Sequence, residues 1–346
     1  FKELQSNFTR KQIEEWAQET GFMKRKTKLK PEYFFLLCSC LGESFGEKSL
    51  VELCAQLCST FDVELTSEGL NQRFNSKAVE FLKKMYQSIF SNQLAYPMVE
   101  NRLFNRLRIL DSSGFNLPAD YLDYKGASGS GVKVQLEYEL YQGSFLHLLV
   151  QEGKESDSNY PKVIRDTIQP GDLCLRDLGY FSLENLIDIE KRGGYYLSRL
   201  KNNMNLYQQN KEGRWEKMDL EKITKDLQRG ETLELPNIRI GYWVKEPLIT
   251  RVVLTKLTEE QEEKRQAHLN KKKKKGKKPL SAQKNISVNI YVTNIPQKMV
   301  KKEEIHSLYS LRWQIEILFK TWKSLFEIHR VKKMKKERFE CHLYGT

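Results

Sequence analysis

The sequence predicts an α/β fold: a mixed sheet with helices packed on it, preceded by a helical region and interrupted by a β-rich insertion. Three observations carry this. Residues 1–95 space their apolar side chains as helices do and separate them by polar turns. Residues 96–200 read as strand, hairpin, strand, helix, strand, the order of a mixed sheet covered by helices. Residues 201–285 are polar with short apolar alternations, and a strand and helices resume over 286–346.

At 346 residues the chain can bury a sizeable core and hold two or three domains. Charged residues make up 30% and hydrophobic ones 39%, as suits a globular protein. The net charge of +13 favours a polyanionic partner, nucleic acid first and an acidic membrane surface second. No apolar run is long enough to span a bilayer, and no signal-peptide pattern opens the chain. Cys38, Cys40, Cys54, Cys58, Cys174 and Cys341 form no Cys-x-x-Cys pair, so buried reduced thiols of a cytoplasmic protein are expected. Phe1 is not an initiator Met, and the run after Cys341 looks unfinished, so the reading expects a fragment.

In the helical region, Thr9 leads into Lys11–Glu19 and Pro31 opens an apolar helix. Another runs from Lys48 to Cys58, and Thr66 caps a turn into a helix continued by Lys77–Phe90. Short helices with a polar turn between them resemble a helix-turn-helix, and the basic run Lys24–Lys30 suits phosphate contacts. After Pro97, Arg106–Leu110 alternates and is expected to end at the turn Asp111-Ser112-Ser113-Gly114. Val132–Leu140 and Ser144–Val150 flank the hairpin signal Gln142-Gly143. Pro170-Gly171 leads in the strand Asp172–Asp177, Ser182 caps a helix to Arg192, and Gly193-Gly194 ends it before the strand Tyr195–Leu200. Three alternations, Thr232–Leu235, Ile238–Val244 and Leu248–Leu257, mark the insertion, and Glu259–Lys278 turns helical and very basic. Ser287–Thr293 is the returning strand.

Tyr309–Lys323 contains neither Pro nor Gly and reads as one helix. At about 100° per residue, Tyr309, Arg312, Glu316, Lys320 and Lys323 share one face, and Leu308, Leu311, Ile315, Leu318, Trp322 and Leu325 an adjacent apolar one. Such i,i+4 charges also decorate solvated helices, so this pattern alone carries no chemistry. Asp111 and Asp177 stand where strands are expected to end. Carboxylates there can converge, and with Glu316 they would need a hard cation such as Mg²⁺ or Mn²⁺. Asp111 could instead cap the turn Ser112-Ser113-Gly114 and Asp177 be a turn residue before Gly179, and spacing alone does not choose them over Asp120, Glu137, Asp166 or Asp172.

The spacing Tyr309, Arg312, Glu316, Lys323 resembles the carboxy-terminal signature of the DDE transposases of the insertion sequence 4 family. Asp177-Leu178-Gly179-Tyr180 is similar to that family's second motif and Leu110-Asp111-Ser112-Ser113 to its first. The wording around Arg73-Phe74, Leu175–Ser182 and Tyr309–Phe326 resembles the insertion sequence 231 branch. The resemblance implies a ribonuclease H-like catalytic core, with Asp111, Asp177 and Glu316 as catalytic acids and metal ligands for Mg²⁺ or Mn²⁺, two ions per site. It implies a β-rich insertion between the second and third acids, and contacts from Tyr309, Arg312, Lys323 and the similarly placed Lys320 to transposon-end phosphates. The implied activity is cut-and-paste DNA transposition by strand cleavage and transfer. The implied partners are double-stranded DNA, as terminal inverted repeats and target, and a second subunit in a synaptic complex. A bacterial cytoplasm and nucleoid DNA are the implied setting. A stacking Trp in the insertion has two candidates, Trp215 and Trp243, and ordinary packing is the reading preferred for both. Two other functions compete: a catalytically inactive remnant that only binds DNA, and a cellular nuclease of the same core fold.

Overall fold

The computed structural model describes residues 9–25, 27–39, 45–92, 102–118, 121, 124–126, 129–201, 204–241, 246–274, 287–324 and 327–345. Two compact units result. The first comprises Phe1–Met98, Ser112–Glu155 and Ile315–Thr346, the second Val99–Asp111 and Ser156–Gln314.

The helices form where the capping residues stand. Helix α1 (Arg10–Glu19) opens with a reciprocal box between Thr9 and Gln12. Helix α2 (Pro31–Ser39) starts on its proline, and α3 (Leu50–Phe61) on a second box, Ser49 with Glu52. Asp62 takes the left-handed conformation that stops α3. Thr66 caps α4 (Ser67–Arg73), and the Asn75 side chain accepts from Lys77 N and Ala78 N at the start of α5 (Ser76–Asn92).

Strand β1 (Leu107–Asn116) follows, then β2 (Gly131–Glu139) and β3 (Ser144–Glu152), with Gly143 at φ 68° in their turn. A short helix α6 (Pro161–Ile164) precedes β4 (Leu173–Arg176); Ser182 caps α7 (Leu183–Lys191), which leads to β5 (Tyr195–Arg199). Next come β6 (Leu206–Gln209), β7 (Trp215–Lys217), α8 (Leu220–Lys225), β8 (Thr232–Ile240) and β9 (Leu248–Lys256). The chain closes with α9 (Glu259–Lys274), β10 (Val288–Thr293), α10 (Ile305–Ser310), α11 (Trp313–Ser324) and α12 (Lys336–Gly345).

Three expectations change. The segment Asp111–Gly114 is no turn, because β1 runs on to Asn116. The expected single helix over 309–323 is two, α10 and α11. Leu311 N, Arg312 N and Gln314 N bond three residues back, to Leu308 O, Tyr309 O and Leu311 O, which tightens the chain and removes the uniform 100° phase. The thiols are not all buried: Cys58 is exposed and Cys54 half-buried, whereas Cys38, Cys174 and Cys341 are buried and Cys40 lies outside the described residues.

In the first unit, Ala17, Phe34, Leu37, Leu53, Leu57, Leu70, Phe74 and Phe81 of the helices share one core with Cys341 and Tyr344 of α12. The Arg338 guanidinium lies over the rings of Phe45 and Phe74 at 5.5 and 5.8 Å and donates to Lys48 O at 2.6 Å. The strands of this unit run β3-β2-β1, with β2 and β3 antiparallel. Helix α11 buries Ile315 and Phe319, and Trp322 meets Phe145 of β3 edge-on at 5.6 Å.

In the second unit the order is β1-β4-β5-β10-β9-β8-β6-β7. The pairs β1/β4 and β4/β5 are parallel, and β10 is antiparallel to both β5 and β9. The order β3-β2-β1 in one unit and β1-β4-β5 in the other is that expected of a ribonuclease H-like core. Strands β8 and β9 of the β-rich segment continue the same sheet from β10, and Ile238, Ile240, Val252 and Leu254 share a core with Cys174, Leu186, Ile189, Tyr196 and Val292.

Candidate active site

The strand register assembles the site. Leu110 of β1 stands opposite Arg176 of β4, and Arg176 opposite Ser198 of β5. One residue further along come Asp111 on β1, Asp177 just past the end of β4, and Arg199 at the end of β5. Across the next, antiparallel pair Arg199 stands opposite Tyr291 of β10. Neighbouring strands lie about 4.8 Å apart, so this register carries the two carboxylates to the same end of the parallel pairing, and the charges of both Asp177 and Arg199 act on Tyr309.

Adjacent carboxylates repel, and the turn between α10 and α11 answers them. Arg312 Nη1 lies 2.6 Å from Asp111 Oδ2, and Arg312 is buried. The Tyr309 phenol donates to Asp177 Oδ1 at 3.3 Å. Burial, and then the Asp177 charge, push that phenol well above its usual range, so it remains a donor. Burial reaches the third candidate cation too: Lys323 donates to Gly114 O at 3.0 Å, and desolvation lowers its pKa.

The structure therefore brings Asp111, Asp177, Tyr309 and Arg312 together in the second unit. Glu316, half-buried on the first turn of α11, belongs to the first unit with the exposed Lys320 and with Lys323. Among the described residues, no three His, Cys, Asp or Glu side chains form a group that could hold a metal ion.

The acids that spacing could not set aside have other duties. Asp172 is fully buried, where Arg106 Nε and Arg108 Nη1 reach it at 2.8 and 3.1 Å. Asp166 pairs with Arg192 at 2.8 Å, Glu137 is buried in β2, and Asp120 lies outside the described residues. Of the two tryptophans, Trp215 packs under Arg239 at 5.6 Å, and Trp243 lies outside the described residues. Arg199 and Tyr291 escaped the sequence reading because their place near the site depends on pairings across distant strands.

Residues 102–346 match the family of the transposase DDE domain. The chain belongs to the DDE transposases. This transposase is 41% identical to the transposase for insertion sequence element IS231C of Bacillus thuringiensis subsp. berliner, over 99% of this chain and 76% of that relative. The identity is again 41% with that for IS231B of the same organism, over the same shares, and 35% with that for IS1151 of Clostridium perfringens, over 99% and 77%. These likenesses place the transposase in the insertion sequence 231 branch.

A DDE domain cleaves and joins DNA strands and depends on divalent metal ions. The donor chemistry here fits such a cation: Asp111 on β1 and Asp177 just after β4 offer only hard carboxylate oxygens. Among the described residues, no helix of the transposase is long and apolar enough to cross a membrane.

Proposed function

We propose that this transposase moves an insertion sequence by cut-and-paste, cleaving at its terminal inverted repeats and joining the freed ends to target DNA. Asp111, Asp177 and Glu316 are its catalytic acids and metal ligands, for two Mg²⁺ or Mn²⁺ ions per site. The observation that carries the reading is that Asp111 on β1 and Asp177, directly after the adjacent parallel strand β4, are met by Arg312 and Tyr309.

Such ions, when bound, activate the attacking oxygen and stabilise the leaving one. The chain's own groups supply the rest. Asp111 and Asp177 fix the reacting phosphate's place at the strand ends, while Arg312 neutralises its non-bridging oxygens. Tyr309 holds the Asp177 carboxylate in one orientation, and Lys320 and Lys323 take flanking phosphates. Attack on phosphorus by water breaks the P–O3′ bond and leaves a 3′-hydroxyl. That hydroxyl then attacks a target phosphodiester, forming one P–O bond as another breaks.

Residues 1–95 act as a DNA-binding region and 201–285 as the insertion between the second and third acids. Two copies pair two ends in a synaptic complex, working on nucleoid DNA in the cytoplasm. Duplex DNA carrying the terminal repeat that flanks the gene tests this. Cleavage should require Mg²⁺ or Mn²⁺, stop with EDTA and leave 3′-hydroxyl ends. Metal-independent cleavage, or 3′-phosphate products, would contradict it.

A further inference from the structure

The helix that presents Tyr309 is only six residues long, and a helix of that length has no orientation of its own in water. Its direction must come from what it packs against. His306 and Tyr309, one turn apart on α10, face the same residue of β10, Tyr291. The Tyr291 ring is fully buried, with its centroid 5.2 Å from that of Tyr309 and tilted by 53°. Its hydroxyl lies 2.7 Å from His306 Nδ1. A continuous series results: His306 to Tyr291 by a hydrogen bond, Tyr291 to Tyr309 by ring contact, Tyr309 to Asp177 by a hydrogen bond.

We propose that Tyr291 and His306 are positioning residues that fix the Tyr309–Arg312 turn on Asp177 and Asp111. Neither is placed to touch a reacting atom. They grip α10 at two points: Tyr291 braces the ring of Tyr309, and the hydrogen bond to His306 sets the rotation of the helix about its axis. The two groups meet as neutral partners. Burial and the neighbouring Arg199 charge lower the His306 pKa, and burial raises the Tyr291 phenol to about 12. With the ring proton on Nε2, Nδ1 accepts the phenol hydrogen. A tilt of α10 would move the Tyr309 hydroxyl and the Arg312 guanidinium together, and a misplacement of about 1 Å near the chemistry costs of order 10²-fold in rate.

This inference rests on the reading of Asp111 and Asp177 as catalytic, and its test keeps the two apart. The full chain is assayed for single-turnover cleavage of terminal-repeat DNA in Mg²⁺, with DNA affinity and melting temperature measured separately. Tyr291→Phe removes only the hydroxyl. Its cleavage rate should fall about tenfold with DNA affinity unchanged. In a Tyr309→Phe background the same change should cost clearly less than it does alone, because only Arg312 is then left to position. His306→Ala should lose as much as Tyr291→Phe, and His306→Asn, which keeps a hydrogen-bonding atom near Nδ1, should recover most of it. A wild-type rate for Tyr291→Phe, losses that multiply independently in the Tyr309→Phe background, or a loss explained by weaker DNA binding overturns the proposal. Asp111→Asn and Asp177→Asn serve as the reference. If they still cleave, the catalytic reading fails, whatever Tyr291→Phe does.

Discussion

The guanidinium of Arg312 closes on the carboxylate of Asp111 at 2.6 Å, joining residues 201 apart in the chain. Asp111 and Asp177 would otherwise stand as neighbouring like charges at the ends of parallel pairing. Arg312 offsets one of them and is carried by the same turn whose Tyr309 holds the other. The signature residues thus answer the aspartates before any DNA arrives.

Arg312→Ala should lower single-turnover cleavage by about 10²–10³-fold, the range for removing one electrostatic stabiliser of a transition state. Arg312→Lys should recover little, because an ammonium cannot reproduce the planar fork. Cleavage kinetics at saturating DNA check both, and near-wild-type rates for Arg312→Lys would mean that charge alone suffices.

Tyr309→Phe removes the donor to Asp177 and should slow cleavage about tenfold or more without changing the shape of the pH–rate profile. The sign follows from burial and Asp177, which raise the phenol pKa and keep its proton on across the assay range. A basic limb that disappears in Tyr309→Phe would show that the phenol titrates instead.

Asp172 and Asp177 lie close in sequence and should fail differently. Asp172→Ala leaves Arg106 and Arg108 without their buried counter-ion, costing ~3–5 kcal/mol of stability. Asp177→Asn, at the half-buried strand end, should leave stability nearly unchanged and abolish cleavage. Denaturant melts and cleavage assays on the two variants separate the roles. Equal destabilisation would make Asp177 a structural acid.

His342 is buried in α12, its ring stacked on Phe45 at 5.7 Å, and burial lowers its pKa to about 4. The unfolded chain, near 6.5, binds this proton first, so the contribution is fully present above pH 6.5 and is lost as pH falls toward 4. Denaturant unfolding from pH 7 to 4 should show up to ~3 kcal/mol lost through this residue, and His342→Leu should flatten that part of the profile. An unchanged slope in His342→Leu would assign the pH dependence elsewhere.

The helical region was legible because its caps are local: Thr9, Ser49 and Thr66 stand directly before their helices, as Ser182 does before α7. The hairpin of β2 and β3 was legible for the same reason. The site was legible only as three motifs. That Asp111 and Asp177 come to the same end of the parallel pairing is a matter of register between β1 and β4, and no periodicity along either strand reports it. Arg199 and Tyr291 join them through two further pairings, and Tyr291 comes from a strand 92 residues beyond Arg199. The break at Leu311–Arg312 was hidden because no Pro or Gly marks it; bonds to the third residue back make it.

The most direct measurement is cleavage of terminal-repeat DNA by Asp111→Asn, Asp177→Asn and Glu316→Gln, each with DNA affinity and melting temperature recorded. The account predicts that all three bind DNA and fold as the unaltered chain does, yet none cleaves with Mg²⁺ or Mn²⁺. Full cleavage by any one of them would contradict it.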